Sequence, residues 1–425
     1  MPEIFAPAGA RRVVVTGMGA ITPLAAGLPD SWRALVEGRS GIRAIRSFDA
    51  AALASRIAGE SLDADPGRVL DRKEIKRTDR CTQLALLATQ EALADACLPE
   101  RLEGRLAEET GVVMGTGFGG AATVADQIAT FVERGPDRVS PFFIATAIAN
   151  IPAGQIGITF GPLGPNLATL SACASGGHAI GEAAEMIRRG DAEVMLAGGA
   201  EAAVHPVFIA GFAAMRALST RNDDPQAASR PFDRGRDGFV AAEGSATIVL
   251  EELGHAERRG ARILAELLGY GASADAYRLT LPAPGGTGAV RASRRALEKA
   301  GVTPSEVDHV SAHATSTPEG DSTELDALRT LLGDHAPGVS ITAIKGAIGH
   351  TLGAAGAIAA AMAICALRDG CSPPILNLTD PDPAGEGLDL TPLTARRRPL
   401  NVALVNAFGF GGQNAALVFR RWSGP

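Results

Sequence analysis

The stretch Asn166-Leu-Ala-Thr-Leu-Ser-Ala-Cys173-Ala-Ser-Gly-Gly decides how the chain is interpreted. A short apolar run over 166–170 predicts a strand, and a helix over 175–189 begins two residues after the cysteine and stops at Gly190. Such a sharp strand-to-helix turn exposes its side chain, as in the nucleophile elbow of hydrolases, and the helix N-terminus favours a thiolate. A free cysteine is also commonly a small buried hydrophobe, so Cys173 is a candidate nucleophile with that alternative open.

The same alternation of short apolar runs and helical stretches continues on both sides and predicts an α/β fold. In the first half, strands are expected at 12–16, where Gly17 and Gly19 end the run, and at 111–114 and 193–197, with a helix over 77–96. In the second half, strands are expected at 307–313, 340–343 and 401–405, with helices over 322–332 and 352–367.

The two halves also end alike, with Gly244-Ser-Ala-Thr-Ile-Val-Leu-Glu in the first and Gln413-Asn-Ala-Ala-Leu-Val-Phe-Arg in the second. We interpret the chain as two copies of one α/β unit, joined in the charged segment 252–262. The predicted domains are 1–257, which carries Cys173, and 258–425. A functional site is expected where the two halves meet.

Two of the seven histidines follow predicted strands, as Cys173 does. His313 lies at the end of one strand, and His350 closes Lys345-Gly-Ala-Ile-Gly-His before an apolar helix. Open α/β sheets build sites at the carboxyl ends of their strands. A lone histidine is most often structural, but a cysteine with two histidines from the other half suggests thioester chemistry. Lys345 is one of four lysines, so a role beside His350 is favoured over a solvated surface position.

Phe408-Gly-Phe-Gly-Gly follows the strand expected at 401–405. Glycines on both sides of an aromatic residue allow its ring to swing, because they place few limits on the backbone. The segment is therefore either a gate or a core aromatic in a tight hairpin.

Three other patterns are interpreted as structural. Gly115-Thr-Gly-Phe-Gly-Gly matches a dinucleotide fingerprint, but no second strand ending in an acid follows it. His309 and His313 have the spacing of zinc ligands without the glutamate and helix of a zinc protease. A salt-bridge loop is expected at the charged cluster Asp233, Arg234, Arg236 and Asp237.

Composition narrows the class of protein. The 425 residues carry a net charge of −7, which disfavours a nucleic-acid binder. Five scattered cysteines with no Cys-x-x-Cys pair argue against a disulfide scaffold and a structural zinc site, and favour a reducing, cytoplasmic setting. The apolar segment 352–367 is shorter than a membrane span and is expected to be a buried helix. The first seven residues lack the order of a secretory signal.

The motifs together resemble the β-ketoacyl-acyl-carrier-protein synthases, particularly the synthase II type, over essentially the whole chain. The likeness includes Val13-Val-Val-Thr-Gly-Met-Gly, Ser171-Ala-Cys-Ala-Ser-Gly, Gly198-Gly-Ala-Glu, Ala217-Leu-Ser-Thr-Arg-Asn-Asp-Asp-Pro-Gln-Ala-Ala-Ser-Arg-Pro-Phe-Asp, His313-Ala-Thr-Ser-Thr-Pro, Gly349-His-Thr-Leu-Gly-Ala-Ala-Gly and Phe408-Gly-Phe-Gly-Gly-Gln-Asn. The resemblance implies the thiolase fold, in which duplicated halves form a five-layered αβαβα sandwich, usually as a homodimer.

The resemblance also implies a decarboxylative Claisen condensation in fatty acid chain elongation. Cys173 would take an acyl group from a carrier-protein thioester. His313 and His350 would assist the decarboxylation of malonyl carrier protein and stabilise the enolate, with Lys345 supporting them. Backbone N–H groups of Cys173 and Phe410 would form the oxyanion hole. The implied substrate-binding residues are Phe118, Phe212, Thr315, Thr317, Phe408 and the gating Phe410, the two threonines lining the phosphopantetheine tunnel. No metal or free cofactor is implied, because the substrates ride on the phosphopantetheine of acyl carrier protein.

The implied partner is the acidic acyl carrier protein, which would dock on a basic patch. The positions of this chain that match the patch are Lys73, Lys76, Arg77 and Arg216.

The chain departs from the family pattern at three places. Ala314 stands where glycine is common, which is a small change. Ala359 stands where a glutamate often pairs with the lysine, so Lys345 is expected to lack its counter-charge. Phe118 stands where a smaller aliphatic residue is common, and its bulk is expected to shorten the acyl pocket and favour short or medium chains.

Alternative functions stay open at this point. One is the ketosynthase of a type II polyketide or polyene pathway, as a homodimer or a heterodimer. A non-catalytic chain-length-factor-like subunit is disfavoured because such subunits typically lose the cysteine. A degradative thiolase is disfavoured because Phe408-Gly-Phe-Gly-Gly replaces its second cysteine motif.

Overall fold

The computed structural model describes residues 11–424, so the expectation for the first seven residues lies outside the described part. The strands are β1 Val13–Ile21, β2 Ile42–Ala44, β3 Ile57–Gly59, β4 Thr110–Gly115, β5 Asn166–Thr169, β6 Val194–Glu201, β7 Gly244–Glu252, β8 Ala265–Ala274, β9 His309–Ser311, β10 Ser340–Thr342, β11 Cys371–Ser372, β12 Asp389–Leu390, β13 Arg396–Arg397, β14 Val402–Gly409 and β15 Gln413–Arg421. The helices are α1 Leu28–Val36, α2 Arg72–Ile75, α3 Arg80–Asp95, α4 Gly104–Glu108, α5 Ala121–Arg134, α6 Phe143–Ala147, α7 Ile151–Phe160, α8 Ser175–Arg189, α9 Pro206–Ala214, α10 Leu253–Arg258, α11 Thr287–Ala300, α12 Pro318–Leu332, α13 Lys345–Ile348 and α14 Ala355–Asp369.

The sheet repeats one strand pattern in each half of the chain. In the first half the order is β5-β4-β6-β7-β1, and in the second it is β12-β10-β9-β14-β15-β8. In both halves the inner three strands are antiparallel (β6, β7, β1 and β14, β15, β8), and the outer strands add in parallel. The halves join at β1 and β8 through the pairs Val14–Glu266 and Val15–Ala265. The duplication predicted from sequence is therefore present in the strand order.

Five layers stack through the molecule. Helix α3 covers the first-half part of the sheet, α11 covers the second-half part with α12 packed beside it, and α8 and α14 lie between the two parts. The segment Leu352–Asp369 is apolar and long enough to cross a membrane, but it is 89% buried inside the fold as α14 and the turn before it. A side chain at Gly356 would lie 2.7 Å from the backbone of Gly177, so the two central helices approach closely only through glycines. The expected αβαβα sandwich is confirmed.

Several element boundaries differ from the sequence-based expectation. Gly17 and Gly19 do not end the first strand, which runs on to Ile21. They are glycines because α3 crosses the strand so closely that a Cβ on Gly17 would lie 2.5 Å from the Ala92 carbonyl. The strand expected at 401–405 continues to Gly409, so Phe408 lies within β14. The predicted division at 257/258 falls in α10 and stays a prediction.

Candidate active site

Cys173 lies in the turn between β5 and α8, two residues before the helix begins. Ala172 has a φ of 50°, the left-handed conformation that turns the chain sharply from strand to helix. The Ser175 hydroxyl locks this turn, since it donates to Ala172 O at 2.6 Å and accepts from Ser171 N at 2.9 Å. Cys173 itself is 8% exposed and faces a cavity of about 580 Å³. The cavity is the space into which a nucleophile at this turn would react.

His313 lies directly after β9, and its backbone is held on both sides. Glu324 on α12 accepts from His313 N at 2.8 Å and from Ala314 N at 2.6 Å. Lys345 Nζ donates to the His313 carbonyl oxygen. These bonds fix the peptide that carries the imidazole, and the ring lines the cavity. Lys345 does not line the cavity, so its contact with the site runs through His313.

His350 reaches the same cavity from the segment before α14. Its backbone bridges to the first half of the chain, where His350 N donates to Val240 O at 2.7 Å and Ala242 N donates to His350 O at 3.0 Å. The His350 ring lies edge-on to His313 and to Phe239, with centroids 5.5 Å and 5.3 Å apart. Among the described residues, the buried Nδ1 atoms of both imidazoles have no hydrogen-bond partner. Unpaired buried nitrogens at a cavity wall are available to a ligand or a water molecule.

Burial keeps the thiol and the imidazoles of this site uncharged. It raises the pKa of Cys173 to about 12, against the opposing effect of the nearby Lys345 ammonium. It lowers the pKa of His313 and of His350 well below the usual range, and Lys345 adds to both shifts. Burial also lowers the pKa of Lys345 to about 8, against the raising effect of Glu324. At neutral pH the site therefore presents a thiol, two neutral imidazoles and one buried ammonium.

The hairpin between β14 and β15 closes over Cys173. Gly409 packs against the Ser171 carbonyl so closely that no side chain fits there. The backbone N–H groups of Phe410 and of Cys173 both face the sulfur and favour its charged form. Gly411 and Gly412 have φ values of 87° and 72°, which lets the chain turn tightly after Phe410. Two N–H donors aimed at one point are the arrangement that stabilises an oxyanion.

The cavity collects the remaining side chains expected to bind substrate. Its lining includes Phe118, Phe212, Thr315, Thr317, Phe408 and Phe410. Phe118 packs on Phe208 and Phe212, with ring centroids 4.9 Å and 6.2 Å away. Sequence reasoning did not identify Phe239, which connects this aromatic group to His350 through a 5.3 Å contact with Phe212.

The four residues expected to dock a carrier protein lie at two places. Lys73 and Lys76 are exposed on and just after the short helix α2, and the Arg77 guanidinium lies 4.4 Å from the centroid of the Phe142 ring. Arg216 lines the cavity and has a φ of 55°. The docking role of these residues stays a prediction.

Two buried carboxylates were missed by sequence reasoning. Lys345 does not lack a counter-charge, as Ala359 had suggested, because the Glu324 carboxylate lies near enough to raise the pKa of the lysine. Glu201 is fully buried and accepts from Gly117 N at 2.6 Å and Phe118 N at 3.3 Å. Two sequence signals could have identified them. Glu324 lies on the inner face of a predicted amphipathic helix, and Glu201 is the acid that ends Gly198-Gly-Ala-Glu.

The three patterns interpreted as structural are each bonded to neighbouring parts of the fold. The N–H groups of Gly117 and Phe118 are already bonded to a carboxylate, which would repel a dinucleotide phosphate at that turn. His309 is buried inside β9, where its ring nitrogens lie 3.4 Å from the Thr342 hydroxyl and 3.5 Å from the Ser372 hydroxyl. Asp233 accepts from Arg230 and Gly235, and Arg236 donates to Asp382, which makes this cluster a salt-bridged loop.

Comparisons with known proteins agree over nearly the full length. Residues 10–256 match the family described as beta-ketoacyl synthase, N-terminal domain, and residues 264–379 match the beta-ketoacyl synthase, C-terminal domain. The chain is 47% identical over 412 residues to a 3-oxoacyl-[acyl-carrier-protein] synthase 2 of Synechocystis sp., covering 97% of this chain and 98% of the relative.

Solved structures give the same result. A beta-ketoacyl synthase from Burkholderia phymatum superposes with a TM-score of 0.89 at 36% identity, covering 97% of this chain and 100% of the other. The ketosynthase in a complex with its type II polyketide acyl-carrier protein superposes with a TM-score of 0.87 at 32% identity, again over 97% and 100%. With a cysteine and two histidines arranged around one cavity, and with these matches over both halves, the chain belongs to the β-ketoacyl synthase family.

Proposed function

We propose that Cys173, His313 and His350 form the catalytic centre of a β-ketoacyl-acyl-carrier-protein synthase, an acyltransferase that extends acyl chains in fatty acid synthesis. The observation that carries the assignment of roles is that one cavity receives a thiol from the first half and two imidazoles, 5.5 Å apart, from the second. A carbon–carbon bond-forming thioester reaction needs both an acyl-holding nucleophile and groups that stabilise an enolate.

The first step transfers an acyl group to Cys173. The sulfur attacks the carbonyl carbon of an acyl thioester, and the bond to the carrier's phosphopantetheine sulfur breaks. Because the pKa of Cys173 is raised to about 12, the thiol loses its proton as the carbon–sulfur bond forms, and that proton ends on the departing phosphopantetheine thiol. The N–H groups of Cys173 and Phe410 stabilise the negative oxygen of the tetrahedral intermediate.

The second step uses the imidazoles. As malonyl carrier protein loses CO₂, the electron pair of the breaking carbon–carbon bond develops as an enolate whose oxygen is negative. Neutral His313 and His350 donate hydrogen bonds to that oxygen without giving up a proton, since burial holds both pKa values well below the usual range. The enolate carbon then attacks the acyl-Cys173 carbonyl, and the carbon–sulfur bond breaks with its electron pair on the sulfur. The Cys173 thiolate takes up a proton from water, because its pKa is raised to about 12, and 3-ketoacyl carrier protein leaves.

The remaining residues position the substrate. Lys345 is a positioning residue, because it bonds the His313 carbonyl and does not line the cavity. Thr315 and Thr317 line the cavity on the path for phosphopantetheine, and their hydroxyls are 3.1 Å apart. Phe118 and Phe212 form the acyl end, and the ring of Phe118 favours short or medium chains. The substrates arrive on the phosphopantetheine of acyl carrier protein, and we propose no free cofactor and no metal.

The partner that delivers the substrates is an acidic acyl carrier protein. Lys73, Lys76 and Arg77 supply positive charge near α2, and Arg216 supplies it at the cavity. A local basic patch on a chain of net charge −7 attracts an acidic partner to one face. A cytoplasmic location accords with this partner.

We propose that a second copy of the chain covers the outer edge of β5. Leu167 in this edge strand and Leu170 just after it are 48% and 56% exposed, and α5 exposes Ile128, Phe131 and Val132. An uncovered apolar strand edge is an aggregation hazard, which pairing with a second copy removes. Sedimentation of the protein and of its Leu167→Asp variant tests this, with a dimer expected for the first and a monomer for the second. A heterodimer with a related chain would leave the isolated protein monomeric.

The activity test is intact mass spectrometry of the protein with acyl carrier proteins of graded acyl length, followed by malonyl carrier protein. We expect an acyl adduct on Cys173 that malonyl carrier protein discharges into a 3-ketoacyl product. The Cys173→Ala variant is the matched control and should carry no adduct. A folded sample with a free thiol that takes no adduct from any chain length would contradict the proposal.

A type II polyketide pathway is the second candidate, favoured by the structural likeness to a ketosynthase bound to its polyketide carrier protein at 32% identity. The same experiment separates the two functions. Repeated condensation on one chain without reduction would indicate the polyketide pathway, whereas a single two-carbon extension per cycle indicates fatty acid elongation.

A further inference from the structure

Glu201, at the end of β6, is a fully buried carboxylate to which the proposed reaction assigns no role. Gly117 N and Gly353 N donate to its Oε2 at 2.6 Å and 3.1 Å. Phe118 N and the Thr116 hydroxyl donate to its Oε1, both at 3.3 Å. Within residues 11–424 no arginine, lysine or histidine forms a salt bridge with Glu201. The charge is therefore held by hydrogen bonds from backbone and hydroxyl groups.

The donors come from two separate walls of the active-site cavity. Gly117 and Phe118 belong to the turn after β4, and both line the cavity. Gly353 follows Leu352, which lines the cavity three residues before α14 begins. Glu201 does not line the cavity. One side chain behind the cavity thus connects a wall from the first half of the chain to a wall from the second half.

Glycine is required on both sides of this contact. A Cβ on Gly117 would lie 2.6 Å from Glu201 Oε2, and a Cβ on Gly353 would collide with the backbone of Thr116 and Gly117. The two segments therefore meet backbone to backbone with the carboxylate as their shared acceptor. Losing that acceptor would leave buried N–H groups unpaired, which costs about 1–3 kcal/mol each.

We propose that Glu201 is a positioning residue that sets the acyl-chain selectivity of the cavity by tying the Gly117–Phe118 turn to the Leu352–Gly353 turn. This rests on the proposed function, since it takes the Phe118 end of the cavity as the acyl pocket. Phe118 can limit the chain only if its backbone is fixed, and Glu201 accepts the N–H groups of both Gly117 and Phe118.

The electrostatics agree with this geometry. Burial raises the pKa of Glu201 to about 7, and the hydrogen bonds from Gly117, Gly353, Phe118 and Thr116 oppose the rise. The titratable groups facing Glu201 are the thiols of Cys81 and Cys173, whose pKa values are raised mainly by burial and further by the Glu201 charge. The donor set is thus the main compensation for the buried carboxylate.

The test measures the shape of the pocket directly, without carrier protein. The protein and its Glu201→Gln variant are labelled at Cys173 with N-alkyl iodoacetamides carrying short or long alkyl chains, and adducts are followed by intact mass. The readout is the ratio of labelling rates for long and short reagents. Asp308→Asn is the matched control, because Asp308 Oδ2 also accepts two backbone N–H groups, from Asn401 at 2.8 Å and Val402 at 3.0 Å, away from the cavity lining.

In Glu201→Gln we expect the ratio to move toward one by about fourfold, the equivalent of one buried methylene, while Asp308→Asn keeps the wild-type ratio. If the glutamine variant does not fold, Glu201→Asp replaces it, because the shorter side chain keeps the charge but reaches only one wall, and the same flattening is expected. An unchanged ratio in a folded variant, or an equal change in Asp308→Asn, would overturn the proposal. Labelling of Cys173 needs no condensation. If the protein forms no 3-ketoacyl product, the proposed function is wrong, but the labelling ratio still tests the role of Glu201 in pocket shape.

Discussion

The turn after β4 and the turn after β9 occupy matching places in the two halves, and each is held by a buried carboxylate. Glu201 accepts the N–H groups of Gly117 and Phe118, and Glu324 accepts those of His313 and Ala314. The carboxylates come from different elements, the neighbouring strand β6 in the first half and the following helix α12 in the second. The backbone support is thus alike although the chain supplies it differently.

What each turn presents to the cavity is different. The first-half turn presents Phe118, an apolar wall, and the second-half turn presents His313, a hydrogen-bonding group. Within residues 11–424, a cation lies behind the second-half turn alone, where Lys345 donates to the His313 carbonyl. In the proposed mechanism the two halves divide the work, with the nucleophile and the shape of the pocket in one half and the enolate-stabilising groups in the other.

The largest expected effect is the loss of one partial reaction when a residue of one half of the chain is replaced. His313→Ala should lower the decarboxylation of malonyl carrier protein by about 10²–10³-fold, the usual loss of one donor to a developing oxyanion, while Cys173 still forms an acyl adduct. Cys173→Ala should do the opposite, with no adduct and decarboxylation retained. The two assays are CO₂ release and intact mass. If both variants lose both activities in folded form, the division of labour is wrong.

The next effect concerns the cation behind His313. Lys345→Met should lower the decarboxylation rate by about 10–100-fold, because a charged hydrogen bond to the His313 carbonyl is lost. Since the pKa of Lys345 is lowered to about 8, the wild-type rate should fall as pH rises through 8, whereas the variant should lack this limb. Cys173, with a pKa raised to about 12, and the imidazoles, with pKa values well below their usual range, do not titrate there. If the rate of Lys345→Met still falls as pH rises through 8, another group is responsible for that fall.

The same lysine should affect stability with a definite sign. Between a folded pKa of about 8 and the ordinary value of 10.5, the unfolded chain binds more protons than the folded one. The contribution of Lys345 to the free energy of unfolding therefore becomes more favourable as pH rises through this window. Denaturant titrations of the protein and of Lys345→Met, compared below and above this range, measure the difference.

A smaller effect is expected at the apolar turn. Phe118→Ala should raise the rate with longer acyl chains relative to shorter ones by about fourfold for each further methylene accommodated, with Phe118→Leu intermediate. The measurement is kcat/KM across acyl carrier proteins of graded chain length. An unchanged chain-length profile would show that Phe118 does not end the pocket. The first-half turn would then have no role in pocket shape to contrast with the second-half turn.

The smallest effect is at the surface. Lys73→Glu should raise KM for acyl carrier protein by about three- to tenfold at low salt and less at high salt, with kcat little changed, because rim charges act mainly on association. Arg294→Glu on the exposed face of α11 is the matched control and should leave KM unchanged. An equal rise for both variants would show a general charge effect in place of a docking patch.

Much of the fold could be predicted because its signals are local. The helix over 175–189 appears with the expected bounds, and the duplicated strand order follows the repeat in the sequence. Gly17 and Gly19 were interpreted as strand breakers because their local effect is to end a strand. Their actual reason is the close crossing of α3, whose contacting residues lie about seventy positions further along the chain and are not visible in the local sequence pattern.

The sequence by itself determined the strand-to-helix turn at Cys173, the two histidines that follow strands, and the family, because each depends on residue types at short, fixed spacing around a strand end. Only the tertiary structure decided which acids hold the two turns. Glu201 lies 84 residues from Gly117 and 152 from Gly353, and burial, not residue type, sets the protonation of Cys173, His313 and Lys345. Spacing along a chain can specify a turn, whereas the partners and dielectric surroundings of a buried polar group exist only once distant segments have packed together.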